Sequence, residues 1–172
     1  SKAPVSETLA AAIILHSPWN KDRILVDPFL SEKGGCWAVM SSLASLSGKI
    51  YRYVERYIDD SSEAFTILSQ LCAESKPGAN GLRISPLEEP DDQTITAYAK
   101  EDIARAIMEG TVTILKQRLE TLAEHGVVAE RAVMVGGPSE DPYWRALIEE
   151  MWGIPVRVVH ASFSGAVGAA VI

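Results

Sequence analysis

Cysteine is nearly missing from this sequence. Only Cys36 and Cys72 occur among 172 residues, too far apart for a Cys-x-x-Cys motif and with no histidine near either, so neither a disulfide framework nor a structural zinc site is expected. Two buried, reduced thiols are the simpler reading. Positive charge is also scarce: 16 Lys and Arg stand against 23 Asp and Glu, for a formal charge of −7. That balance excludes a broad basic nucleic-acid footprint and leaves any phosphate binding to local backbone donors or a few cations. Long apolar runs are lacking too. No stretch reaches the roughly 20 uninterrupted apolar residues that span a bilayer, and the N-terminus lacks a basic segment followed by an apolar signal core. A cytoplasmic chain without a membrane or nucleic-acid partner is expected.

What is present is ordinary globular composition, 47% hydrophobic and 23% charged. A chain this long buries roughly two-thirds of its unfolded surface, and a single domain over residues 1–172 is expected. The apolar stretch 5–15, a break at Ser17-Pro18-Trp19-Asn20-Lys21-Asp22, the run 24–26, and the run 36–40 after Gly34-Gly35 predict three strands. Leu46, Ile50, Tyr53, Val54 and Tyr57 then recur at helical spacing. A second helix is predicted from Ser61-Ser62-Glu63 to Lys76-Pro77-Gly78, and a brief strand over 81–84. The acidic segment 87–93, with its proline and no apolar period, reads as an exposed loop of solvated charges rather than an ion site, because a hard cation needs converging ligands. The longest helix follows, carrying Ile103, Ile107, Ile114, Leu115, Leu119 and Leu122 on one side, and stops at His125-Gly126. The last third alternates: strand 132–135, helix 142–152, strand 154–159, helix 165–172. Alternation favours parallel strands and the opening turns favour antiparallel ones, so a mixed sheet is expected.

The most informative local feature is Val133-Met134-Val135-Gly136-Gly137-Pro138-Ser139, an apolar strand that ends at paired glycines shortly before a helix. Without Cβ atoms the glycines admit a ligand to the backbone, and free amides at the next helix start would favour a phosphate. Alone, such a turn is more often a tight connection, and it is not the Gly-x-x-x-x-Gly-Lys-Ser/Thr phosphate loop. A dinucleotide oxidoreductase is disfavoured because no Gly-x-Gly-x-x-Gly follows a strand.

The order of motifs adds weight. Arg105-Ala106-Ile107-Met108-Glu109-Gly110 comes first, then Gly136-Gly137, Trp144, Gly153-Ile154-Pro155-Val156, and Gly165-Ala166-Val167-Gly168-Ala169-Ala170. This succession resembles the C-terminal domain of the FGGY carbohydrate kinases, most strongly over residues 98–172. Each motif also has a bland account. Gly110 in a helix costs about 1 kcal/mol relative to alanine and is explained by close packing or by a nucleotide, Trp144 reads as core, and the small residues at 165–170 let a helix lie close to a sheet.

The resemblance implies an α/β, ribonuclease-H-like (actin-like ATPase) domain with a mixed sheet of about five strands flanked by helices. It further implies ATP with Mg2+ and a small sugar held in a cleft shared with an N-terminal half that lies outside this sequence. Nucleotide contacts are implied at Gly136, Gly137, Pro138 and Ser139, at Asp141 where the family often has Ser or Asn, at Gly110, and at Ser1 as the last residue of a phosphate-contacting turn. No catalytic or metal-ligating residue falls within 1–172, since the family's base and metal ligands belong to the other half, and the chain reads as a piece of a longer one. An apolar face toward that half, or a homo-oligomer formed through it, is expected beside Gly110 and Gly137. Two departures stand out. Pro86-Leu87-Glu88-Glu89-Pro90 replaces a segment that in many members carries Gly-Glu-Arg, and Arg145-Ala146 follows Trp144 where the family has a glutamine shortly after the tryptophan. A non-catalytic actin-like binding or assembly module is the alternative these departures permit.

Overall fold

A computed structural model of the chain describes residues 8–15, 24–27, 36–124 and 128–158. Strands β1 (Thr8–Leu15), β2 (Ile24–Asp27) and β3 (Cys36–Ala44) form an antiparallel sheet in the order β1-β3-β2. Thr8 pairs with Ala44 at one end and Leu15 with Trp37 at the other. β3 therefore continues past Met40 through Ser41-Ser42, where the sequence loses its apolar signal. Helices α1 (Leu46–Tyr57), α2 (Ala64–Glu74), the short α3 (Asp92–Ile95) and α4 (Lys100–Ala123) follow. β4 (Ala132–Met134) and β5 (Val156–Val158) then pair in parallel, joined through α5 (Pro142–Trp152). Parallel and antiparallel pairing are both present, as the alternation implied. They lie on two separate ladders, however, and no single five-stranded sheet forms among the described residues. The predicted turn at 17–22, the glycines 34–35, the stop at 125–126 and the helix 165–172 lie outside the described residues.

α4 is the centre of the packing. Residues 102–108 are buried all round, against Leu68 and Cys72 of α2, Ile50, Tyr53 and Val54 of α1, and Trp144, Leu147 and Ile148 of α5. A helix buried on every side needs apolar residues beyond one stripe, and Ile103, Ala104, Ala106, Ile107 and Met108 supply them. Each fully buried large side chain, such as Ile107 or Met108, contributes on the order of 1.5–3 kcal/mol relative to exposure. Cys72 is a free, buried thiol, and burial pushes its pKa up to about 11.

The strand expected over 81–84 is not formed. Residues 78–81 make a left-handed turn, with φ of 85° at Gly78, 48° at Ala79, 48° at Asn80 and 92° at Gly81. Leu82 and Ile84 are buried while Arg83 is exposed, so the alternation is real but has no ladder partner. Left-handed backbone at the non-glycine residues costs about 1–2 kcal/mol each, and α4 holds it in place. Asp102 accepts from the Ser75 hydroxyl at 2.5 Å and from the Asn80 side-chain amide at 2.8 Å, and Glu109 accepts from Gly78 N at 3.0 Å. Arg105 completes the network, donating to Glu109 at 2.6 Å and to the Ser75 carbonyl at 3.2 Å.

The acidic segment is also less free than its composition suggests. Its carboxylates reach α1: Arg52 pairs with Glu89 at 2.7 Å, Arg56 and Tyr57 both bind Asp92, and the Tyr53 hydroxyl donates to the carbonyls of Ser85 and Glu88. Burial, followed by the bond to Asp92, pushes the Tyr57 hydroxyl up to about 12. Asp91 caps α3, accepting from Thr94 N and its hydroxyl. Residues 85–95 are thus strapped along α1 rather than solvated throughout.

Hydrogen bonds from Ser75 and then Asn80 hold the Asp102 carboxyl below the usual carboxylate range, against its burial. A depressed folded-state pKa stabilises fully above the unfolded value of about 3.9, and this contribution is lost as pH falls through the lower folded value. Asp102→Asn is expected to lower the urea midpoint at neutral pH and to converge on the wild type below about pH 4. A gap that stays constant down the acid limb would contradict this role.

Candidate functional site

β4 delivers the chain to Gly136, whose φ of 85° and ψ of −168° suit only glycine. A short 3-10 turn, Gly137–Glu140, follows. Ser139 closes it, donating from its amide to the Gly136 carbonyl at 2.9 Å and from its hydroxyl to the same oxygen at 2.6 Å. Ser139 is buried, whereas Gly136, Gly137 and Pro138 are exposed, and among the described residues nothing lies within 4 Å of a Cβ built on either glycine. The turn is an open shelf with a rigid floor. Val133, Val135 and Tyr143, close to it in sequence, are exposed large apolar side chains at 56%, 54% and 42%.

The helix start beyond the turn offers fewer free amides than the sequence suggested. Asp141 accepts from Tyr143 N at 2.9 Å with one carboxylate oxygen and binds the Ser69 hydroxyl of α2 with the other. Pro142 has no N–H. An Asp N-cap with proline at the first helical position is a strong helix-start signal, so this use of Asp141 was readable in the sequence, while its tie to Ser69 was not. With a carboxylate at the helix start, the turn is a poorer phosphate site than the sequence suggested.

Gly110 is placed differently. A Cβ there would stand 1.8 Å from the Ile84 carbonyl oxygen and 3.3 Å from Pro86 Cδ. Close packing within the chain is enough to account for this glycine without a nucleotide. Trp144 is core, 8% exposed, as expected. Arg145 and Ala146 are exposed, and Arg145 pairs with Glu149 at 3.3 Å. The Glu149 carboxyl is held low, first by Val156 N, which joins the end of α5 to β5. α5 is fixed to α4 through Lys116, which donates to the Met151 carbonyl at 2.8 Å, and through Trp152, which donates to the Val112 carbonyl at 3.3 Å. Ser1 lies outside the described residues. Among the described residues no three His, Cys, Asp or Glu side chains converge as a metal-binding group, and no helix is long and apolar enough to cross a membrane.

Residues 56–172 match the model of the FGGY family of carbohydrate kinases, C-terminal domain. The chain belongs to this family. The match begins upstream of the motifs that carried the resemblance and takes in the strapped segment. A xylulose kinase from Staphylococcus epidermidis is 24% identical over 124 residues, 64% of this chain and 25% of that protein. The solved xylulose kinase from Rhodospirillum rubrum superimposes with a TM-score of 0.74 at 22% identity, covering 94% of this chain and 35% of that one. That from Bifidobacterium adolescentis gives 0.69 at 21%, covering 95% and 34%. These likenesses show a shared fold, in keeping with the actin-like architecture expected. The chain spans a quarter to a third of the length of these FGGY relatives.

Two effects oppose each other at position 110. Alanine gains about 1 kcal/mol in helix propensity, and a methyl forced against the Ile84 carbonyl costs about 3 kcal/mol. The clash wins, so Gly110→Ala is expected to lower unfolding free energy by a net 2 kcal/mol or so in urea titrations. Gly48→Ala, with open space at its Cβ, is expected to be neutral or slightly stabilising. An unaffected Gly110 variant would contradict the packing account.

Proposed function

We infer that this chain is the nucleotide-binding part of an ATP-dependent carbohydrate kinase that transfers the γ-phosphate to a hydroxyl of a small sugar. A ketose such as xylulose or ribulose, or a polyol, is the substrate class, and the xylulose kinase relatives favour the ketose. The observation that carries the reading is the open Gly136–Gly137 shelf in a chain of this family. The adenosine lies against the two glycines and Pro138, beside the exposed Val135 and Tyr143, with Ser139 fixing the turn from beneath and Asp141 holding the start of α5. The cytoplasm is the compartment of action.

Phosphoryl transfer is catalysed by positioning, charge compensation and a base near the attacking hydroxyl. This chain's residues supply the first of these. The shelf binds and orients the nucleoside, and the hydrogen bonds within the turn keep it rigid. Magnesium would compensate phosphate charge when bound. The metal ligands and the base belong, on the family resemblance, to the half of the kinase that this chain does not cover. Residues 1–172 alone are accordingly inactive.

In calorimetric titrations of the full-length protein, Gly137→Val is expected to weaken ATP binding at least tenfold, about 1.4 kcal/mol, with the fold intact by circular dichroism. Residues 1–172 alone are expected to phosphorylate no pentulose, hexulose or glycerol. Unchanged ATP affinity in the folded variant, or sugar phosphorylation by the isolated segment, would overturn the reading.

A further inference from the structure

Away from the Gly136–Gly137 shelf, a cavity of about 270 Å³ opens between the first two turns of α1 and the strapped segment, bounded by Ser45, Gly48, Lys49, Arg52, Leu87 and Glu89. Two cations and one carboxylate meet there, so the pocket is locally positive in a chain whose formal charge is −7. Lys49 is half-buried and, among the described residues, no acidic group pairs with it. Among the described residues Arg52 pairs through one guanidinium nitrogen with Glu89 at 2.7 Å, and its Nε is buried without a hydrogen-bond partner.

Glu89 reaches in from solvent, its side chain 82% exposed. An ion pair with so exposed a member is worth little in water, and a carboxylate so placed marks where an oxyanion meets the guanidinium. Displacing it costs little, and the replacement gains a second cation in Lys49. Gly48 points the same way. Glycine weakens a helix, and Gly110 has a packing reason for it. Gly48 has none among the described residues, where nothing lies within 4 Å of a Cβ built there, and a side chain at that position would take up room along the cavity wall.

We propose that this pocket binds a phosphate-type oxyanion between Lys49 and Arg52, with Glu89 as a built-in competitor for the same site. A phosphate dianion fits better than a monovalent anion, because a doubly charged group engages both cations at once and Arg52 offers it a planar fork. The source is a nucleotide phosphate or a free or sugar-borne phosphate. The proposal does not depend on the nucleotide shelf, and Gly137→Val is expected to leave it untouched.

The test uses the full-length protein and inorganic phosphate, titrated calorimetrically at constant ionic strength made up with chloride. Glu89→Gln removes the competitor and is expected to tighten phosphate binding about fivefold to tenfold, whereas Lys49→Ala is expected to weaken it at least tenfold. Glu89 is exposed and Lys49 half-buried, and neither belongs to the hydrophobic core. Competition by ADP assigns the anion to the nucleotide, and phosphate binding undisturbed by saturating ADP assigns it to a free or sugar-borne phosphate; either outcome supports the site. Phosphate affinity unchanged by Lys49→Ala, or weakened by Glu89→Gln, would overturn it.

Discussion

The carbonyl oxygen of Ile84 lies 1.8 Å from where a Cβ would stand on Gly110, so the backbone of residues 84–86 and helix α4 touch where no side chain fits. Much of the structure depends on that approach. It seats Pro86 against α4, which brings residues 85–95 alongside α1 and within reach of Tyr53, Arg52, Arg56 and Tyr57. It also fixes the end of the left-handed turn at 78–81, whose other end is held by Asp102, Arg105 and Glu109 from the same helix. The Arg-Ala-x-x-Glu-Gly motif is therefore one structural device: its Glu binds the turn, its Arg binds that Glu and the Ser75 carbonyl just upstream, and its Gly admits the backbone that follows.

α4 serves the Gly136–Gly137 shelf from its other side. Arg105 reaches Glu150 at 3.5 Å, Val112 accepts from Trp152, and Lys116 caps the end of α5. α5 in turn begins at Asp141, which is bound to α2 through Ser69. The Gly136–Gly137 turn is thus flanked by a helix whose start and end are both anchored, which leaves the two glycines free to face a ligand. An open turn on a fixed support is what a shelf for a rigid, mostly apolar nucleoside requires. Charge is used locally in this acidic chain, and the Lys49–Arg52 pocket stands apart from the shelf in being lined by two cations.

Where local signals agreed, the sequence was legible. The bounds of α5 were read correctly because Asp141-Pro142 and Gly153 punctuate it at both ends, and Gly153 adopts the left-handed cap with φ of 70° that such a position favours. α4 was found from its apolar period, and the Gly-Gly shelf from glycines after a strand. Contacts between distant segments were not legible. Leu82, Arg83 and Ile84 alternate like a strand, but the positive φ at Gly81 and the contact with Gly110 belong to tertiary packing. The acidic loop gave no sign that four side chains of α1 would bind it. Gly110 admitted two explanations in sequence, and the position of the Ile84 carbonyl supplies the packing one. A mixed sheet of about five strands was likewise expected from the resemblance, and neither it nor the alternation says which edges meet.

The central claim is that nucleotide meets this chain at the Gly136–Gly137 turn while Gly110 serves packing alone. Hydrogen–deuterium exchange of the full-length protein, with and without ADP, tests both halves at once. Slower exchange is predicted in peptides covering residues 133–140, with no change in peptides covering 105–112. Protection at 105–112 with none at 133–140 would contradict the account.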